Sequence, residues 1–486
     1  MRSQGYGEFI DAWDVDYPDR EMFTVGVGEL DFPEQSGWKG DKFIEERVEW
    51  VMSAMFRLYD PYLLKFEASL PHEIPYTQKT SSGWEGPEFG APVKSMYRTM
   101  YPTMNETWWD QICLDLSRYP RVDDEHVRVE DLEDLGPIPV WCLSCKYQLL
   151  DAKKVSERKG RLFSTVSVGF NDNLQRFTDQ FKRSYLRAPL ECGCGVGLDF
   201  GKGGMTRLVA MLCADVPEND DSFRVWMTDL RKYDKKFHRL LLALVERFMS
   251  RYAASDITRA RLRYFFLHLA FKVVAMYDWS VFQVDVSNPS GSAITTIQNQ
   301  LGHQIINWLA WAMACATETV FKATIACTRR CLAGDDLVQT KWGVASRVTA
   351  KMLTANYARL GFECKSEATV EERTFDNMTF LGARFRRLKS VDVYPFQWVP
   401  QYDGGKCIAS LVKPVKWHTG VPPRRMQLTR AFALFHVARF SDQANVLWAY
   451  IQSELASGVR PWSGSTDVPL VLWTPESSKQ WYVGVL

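Results

Sequence analysis

The chain has 486 residues, 46% of them hydrophobic, with a formal net charge of +1. That is enough apolar content for a large core and about two to four subdomains, and the near-neutral total excludes overall charge as the mark of a nucleic-acid binder. Eleven cysteines with no paired spacing argue against a disulfide framework and for reduced thiols in a cytosolic protein.

No apolar run follows Met1–Gly5, so a signal peptide is not expected. Asp41 to Tyr59 reads as helix, and Thr80-Ser81-Ser82-Gly83-Trp84 as a loop. Cys145 to Val168 reads as strands around a charged loop, and Asn173 to Leu186 as an amphipathic helix. Gly193 to Gly204 is glycine-rich and irregular. Val225 to Thr228 reads as a strand, with helices expected over Phe237 to Tyr252 and Thr258 to Ala275. A strand over Val281 to Val286 runs into a Ser290-Gly291 turn and a long helix, Thr295 to Ala316. Its most apolar stretch, from Ile305, contains Asn307 and is too short to span a bilayer, so any membrane contact is expected to be peripheral. A hairpin around Gly334-Asp335-Asp336 precedes a helix over Val344 to Leu360, strands to Phe385, and helix over 424–456. This is an α+β pattern with a small antiparallel sheet at its centre.

Charge is local. Lys146 to Arg187 holds ten Lys/Arg against four Asp/Glu, and Ala383 to Arg430 ten against two Asp. Such surfaces steer a polyanion even when the total is neutral.

Paired carboxylates supply the chemistry. Asp229 follows a strand and Asp335 sits at a hairpin tip, so the two can converge from neighbouring strands, with Asp336 completing or supporting the site. Oxygen-only ligands suit Mg²⁺, with Mn²⁺ as the alternative, and two such ions activate a hydroxyl and a leaving pyrophosphate together. Asp234 lies too far along to share those ions. With Thr295 and Asn299, four apart on one helix face, it can read a 2′-hydroxyl, which both donates and accepts. Gly291, after Ser290, permits close backbone approach, here to a template or an incoming nucleotide.

In this order the residues resemble the RNA-dependent RNA polymerases of positive-strand RNA viruses, in the picornavirus-like group, with similarity to astrovirus and sobemovirus enzymes. The resemblance spans about residues 77–388. It implies a right-handed fingers-palm-thumb polymerase with an antiparallel palm sheet backed by helices. Fingers would take 1–190 with 265–287 inserted back, palm 191–264 and 288–388, and thumb 389–486.

The same resemblance implies roles for further residues. Thr80, Ser81 and Gly83 would guide RNA template. Lys146, Lys154, Lys159 and Arg161 would hold the incoming triphosphate, alongside Asp234, Ser290, Gly291, Thr295 and Asn299. Phe170-Asn171-Asp172 matches the family's short Asn-Asp segment. Lys365 would stand near the departing pyrophosphate as a general acid. Thr379-Phe380-Leu381-Gly382 resembles the hairpin that grips the primer. The basic run containing Arg384, Arg386 and Arg387 would flank the product duplex by backbone contact. Ala333 stands where a tyrosine is usual, and Gly382 where a lysine often stands.

The expected partners are RNA template, product duplex and NTPs, with a protein primer and other viral replication proteins as candidates. The expected location is the cytoplasm of an infected host cell, at replication complexes. Two rivals are weighed. A reverse transcriptase should carry a bulky residue in place of Asp234 and lack the Thr295/Asn299 pair. An inactive RNA-binding scaffold should have lost one of Asp229, Asp335 and Asp336.

Overall fold

The structure, a computed structural model, describes residues 40–70, 94–124, 126–145, 162–275, 281–284, 288–289, 291–376, 378–388, 398–412, 421–462 and 472–483. Helix α1 (Lys42–Tyr59) starts at Asp41, whose carboxylate accepts from the N–H groups of Phe43 and Ile44, a cap worth about 1 kcal/mol. Then come α2 (Lys94–Met100), α3 (Met104–Asp110), β1 (Val140–Cys145), β2 (Leu162–Val166) and α4 (Val168–Leu186). Helix α5 (Gly204–Leu212) leads to β3 (Arg224–Arg231), α6 (Arg239–Ser250), α7 (Asp256–Ala270), β4 (Lys272–Ala275) and β5 (Val281–Val284). The long α8 (Thr295–Met313) and α9 (Glu318–Ala326) precede the hairpin β6 (Thr328–Ala333) and β7 (Asp336–Lys341). Next are α10 (Ala350–Arg359), β8 (Glu363–Cys364), β9 (Val370–Glu372), β10 (Thr379–Phe380), β11 (Ala383–Arg387) and β12 (Trp398–Tyr402). The chain closes with α11 (Gly404–Val412), α12 (Pro423–Val437), α13 (Ala444–Ala456) and α14 (Pro475–Val483).

Among the described residues the strands form three sheets. The first has order β2-β1-β4-β5, parallel only between β1 and β4, so residues from both sides of α7 share one sheet. The second, β6-β7-β3-β8 with β9 also on β3, is antiparallel throughout. The third is β10-β11-β12.

The second sheet is covered on both faces, and side-chain alternation decides which residue faces which. Trp226, Leu230, Leu332 and Leu337 join the main core with α1, α4, α6, α7 and α8. Val225, Met227, Cys331 and Val338 face the other way, onto Met205, Leu208 and Leu212 of α5 and Phe380 and Phe385 of the third sheet.

Helix α8 is the strut of the molecule, and two of its buried polar side chains, Gln304 and Asn307, tie it to its surroundings. Gln304 donates to the Cys192 carbonyl at 3.0 Å and accepts from the Tyr59 hydroxyl at 2.7 Å. Asn307 donates to Gln339 in β7 at 3.1 Å. One helix therefore carries hooks to α1, to the 192–193 turn and to the second sheet.

Several boundaries differ from the sequence reading. The helix expected to run to Ala275 stops at Ala270, and Lys272–Ala275 is strand β4. Its β-branched Val273 and Val274 pair with β1 and β5, a tertiary demand that helix periodicity does not reveal. The long C-terminal helix is two, α12 and α13, broken over 438–443. The expected boundary at 388 and 389 divides the third sheet, because β12 pairs with β11 along its whole length. The sheet continues to Tyr402.

Candidate active site

Antiparallel pairing of β3 with β7 sets Asp229 opposite Asp336. Asp229 continues the face of Val225 and Met227, and Asp336 that of Val338, so both carboxylates emerge on the side of α5 and the third sheet. Between Ala333 and Asp336 only Gly334 and Asp335 remain to turn the chain. Gly334 takes φ 68° at the first central position, the place a tight II′ hairpin turn reserves for glycine. Three carboxylates thus meet by register and turn geometry.

Like charges directly across a sheet repel, which here adds to the cost of burial. Burial, then Asp335 and then Asp229 push Asp336 from the usual carboxylate range up to about 6. Burial also raises Asp229; the Lys365 ammonium opposes that, and Asp335 adds to it. Lys365 Nζ lies 2.5 Å from Asp229 Oδ2, while its backbone N–H donates to the Asp229 carbonyl at 2.9 Å. Lys365, expected near a leaving group, is therefore paired with a candidate ligand.

Among the described residues no group of three or more His, Cys, Asp or Glu side chains is already set to hold an ion. The donor set nonetheless fits one. Asp229 Oδ1 is buried without a hydrogen-bond partner, and two neighbouring carboxylates resist ionising. A hard divalent cation satisfies both conditions.

The sign of the pH dependence follows. Asp336 has a higher pKa folded than unfolded, so its contribution to stability is present below about pH 3.8 and lost as pH rises through about 6. A cation that needs the carboxylate ionised acts oppositely. The rise in melting temperature on adding Mg²⁺ should be small at pH 5, grow through pH 6 and level off above pH 7. Asp336→Asn should flatten this profile; an unchanged profile contradicts the assignment.

The turn is braced from behind by a residue the sequence reading passed over. His303, buried in α8, sits with Nδ1 2.8 Å from the Gly334 carbonyl. A carbonyl only accepts, so Nδ1 carries the proton, and Nε2 faces the Tyr357 hydroxyl at 3.3 Å. Burial pushes this imidazole down to about 4, which keeps it neutral. Leu381, read in the sequence only as part of the hairpin that resembles a primer grip, also reaches the cluster. It holds φ 53° at the tip of the β10–β11 hairpin, and its backbone N–H donates to Asp336. A non-glycine residue in that conformation costs about 1–2 kcal/mol.

The second constellation gathers around the start of α8. Asp234 is exposed, just beyond β3. The Asn288 N–H donates to the Asp234 carbonyl at 2.6 Å, and Asn288 Nδ2 donates to Asn299 Oδ1 at 2.6 Å. The Thr295 hydroxyl lies 2.6 Å from the Pro289 carbonyl and 2.9 Å from that of Ser292, so its proton serves the turn. The glycine reading needs correction. A Cβ on Gly291 would sit 2.0 Å from the Ser164 carbonyl, so the close approach made there is to strand β2, not to a ligand.

The Asn-Asp segment lies inside α4. Arg98 of α2 grips Asp172 through two bonds of 2.7 and 2.8 Å, and Asn171 Oδ1 accepts from the Ala293 N–H at 2.7 Å. These buried contacts tie α2 and the 291–294 turn to α4. Arg384, Arg386 and Arg387 are exposed on β11, although Arg386 spends one N–H on the Phe440 carbonyl at 2.5 Å. Thr80, Ser81, Gly83, Lys146, Lys154, Lys159, Arg161 and Ser290 lie outside the described residues.

Comparison with known proteins points the same way. A family model described as viral RNA-dependent RNA polymerase matches residues 127–443. Among solved structures the chain is similar to the Sicinivirus 3Dpol RNA dependent RNA polymerase, with TM-score 0.66 at 14% identity over 94% of this chain and 87% of that one. No curated protein sequence matches.

Proposed function

The chain belongs to the viral RNA-dependent RNA polymerases, and we propose that Asp229, Asp335 and Asp336 hold its catalytic metal ions while Asp234, Asn299 and Thr295 read the ribose of the incoming nucleotide. Its fold is that of a right-handed viral polymerase, and its activity is RNA-directed RNA synthesis from NTPs. The observation that carries the site assignment is the β3–β7 register, which sets Asp229 opposite Asp336 with Asp335 on the turn beside them.

Two divalent cations, Mg²⁺ or Mn²⁺, would supply the activation of a primer 3′-hydroxyl and neutralise charge on the departing pyrophosphate. The protein groups do the rest. Lys365, which pairs with Asp229 Oδ2 in the free chain, would give a proton to the leaving phosphate. Asp234 and Asn299 orient the sugar, and a 2′-deoxy sugar leaves both unpaired. Leu381 at its hairpin tip would face the primer end. Arg384 and Arg387 would meet the product backbone without reading bases. Lys146, Lys154, Lys159 and Arg161 remain the proposed triphosphate holders, with Thr80, Ser81 and Gly83 on the template side and Ser290 at the nucleotide.

The fingers would comprise 1–190 and 265–287, a division supported by the sheet that β4 and β5 share with β1 and β2. The palm would comprise 191–264 and 288 to about 402, and the thumb the remaining helices. A protein primer and other viral replication proteins are proposed partners, and replication complexes in the host cytoplasm the proposed location. No helix among the described residues is long and apolar enough to cross a membrane.

Extension of an RNA primer by one nucleotide tests the sugar assignment. Asp234→Ala or Asn299→Ala should lower the preference for NTP over dNTP by about tenfold, the worth of one hydrogen bond. An unchanged preference in both variants removes the assignment.

A further inference from the structure

We propose that Asn288 sets ribose specificity by fixing which end of the Asn299 amide faces the nucleotide, an inference that rests on Asn299 being a sugar-reading residue. An asparagine side chain offers an acceptor at one end and donors at the other. Free to rotate, Asn299 could present either. It is not free. Asn288 Nδ2 donates to Asn299 Oδ1 at 2.6 Å, so the acceptor end is spent inward and the Nδ2 donor is left for the site.

Three bonds make this clamp rigid. The Tyr233 hydroxyl donates to the Asn299 carbonyl at 2.9 Å, which pins the backbone of α8 there to the segment after β3. The Asn288 N–H donates to the Asp234 carbonyl at 2.6 Å, which sets the position of Asn288 against that same segment. The third is the amide contact itself. Tyr233 and Asn288 are each only 3% exposed, so water competes little for these bonds. Asn288 Oδ1 is buried with no hydrogen-bond partner among the described residues. A side chain kept for packing alone would do better as leucine, because an orphaned buried carbonyl destabilises the fold. What the amide of Asn288 gains is the orientation of Asn299.

The consequence is chemical complementarity. A 2′-hydroxyl has one proton to give and lone pairs to offer. Asp234, exposed beside the clamp, presents only acceptors, and the oriented Asn299 presents only donors. Together they match a ribose hydroxyl in both senses. Inverting the Asn299 amide would set acceptor against acceptor and cancel half of the recognition without moving any backbone. Asn288 is therefore a positioning residue that acts through Asn299.

The test measures one-nucleotide extension of an RNA primer with ATP and with 2′-deoxyATP, taking the ratio of the two efficiencies within each variant. Asn288→Asp, which can only accept, forces Asn299 to turn its donor inward and should lower the ratio by about tenfold or more. Asn288→Leu, which releases the amide, should lower it by about threefold to tenfold. In an Asn299→Ala background neither substitution should lower the ratio further. Partial loss of folded protein reduces both rates together and leaves the ratio untouched, so poor folding does not imitate the effect. A ratio unchanged in both Asn288 variants, or a loss that simply adds to that of Asn299→Ala, overturns the proposal. If Asn299→Ala itself leaves the ratio unchanged, the sugar-reading role of Asn299 fails first and takes this inference with it.

Discussion

Asp335→Ala should reduce RNA synthesis by about 10³-fold or more while leaving the chain folded and able to bind RNA. Asp335 sits on the two-residue turn between β6 and β7, partly exposed, and contributes no apolar packing. Its charge pushes up the pKa of both Asp229 and Asp336. Removing it relaxes that repulsion, so the metal-free variant should melt at the same temperature as the parent or slightly above it. Activity should move the opposite way, because several kcal/mol of transition-state charge stabilisation would depend on the cations the cluster is proposed to hold, and each 1.36 kcal/mol is tenfold in rate. The proposed contacts with the RNA backbone involve other residues and should survive. A variant that is both less stable and inactive would indicate a structural role for Asp335 instead.

Lys365→Leu should lower kcat by about 10²–10⁴-fold, the span typical of a lost proton transfer, and change KM for the nucleotide little. The 2.5 Å contact with Asp229 Oδ2 raises a competing explanation, that the lysine only neutralises the cluster. Lys365→Arg separates the two. Arginine keeps the charge and the reach to a carboxylate but does not give up a proton in proteins. If protonation of pyrophosphate is the function, arginine should rescue poorly. Recovery of kcat to within about threefold of the parent would assign Lys365 to electrostatics alone. The Mg²⁺ requirement gives a second reading, since loss of a competing ammonium should lower the Mg²⁺ concentration needed at Asp229.

The legible parts of this molecule are those whose information is local. Gly334-Asp335-Asp336 announces its own turn, because glycine must take the left-handed position and the flanks are strand-like. The strand Val225–Thr228 brought Asp229 to the right sheet, although β3 runs past it to Arg231 rather than ending before it, and the four-residue step from Thr295 to Asn299 held within α8. Helix α5 was missed although its pattern is local. Met205, Leu208, Val209 and Leu212 lie on one helical face, but the glycines before them suggested irregular chain. What was not legible depends on distant partners. Nothing around His303 indicates that it will reach a carbonyl 31 residues away. Gly291 signals close approach but not to what, and the Ser164 carbonyl comes from a strand far back in the chain. Asn288 lay inside a recognised motif, yet its function becomes visible only once Asp234, Tyr233 and Asn299 are seen around it. Strand β4 was hidden for a related reason: its four residues continue the pattern of α7, and only pairing with β1 and β5 selects the extended form.

The central claim is that one carboxylate cluster, assembled by β3 and the β6–β7 hairpin, holds two divalent ions for nucleotidyl transfer. Electron paramagnetic resonance titration with Mn²⁺, on the chain bound to an RNA primer–template and a non-hydrolysable NTP, counts those ions directly. The account predicts two ions held by the parent chain, at least one of them lost from a variant carrying both Asp229→Asn and Asp335→Asn. Equal numbers of bound ions in the two proteins would contradict it.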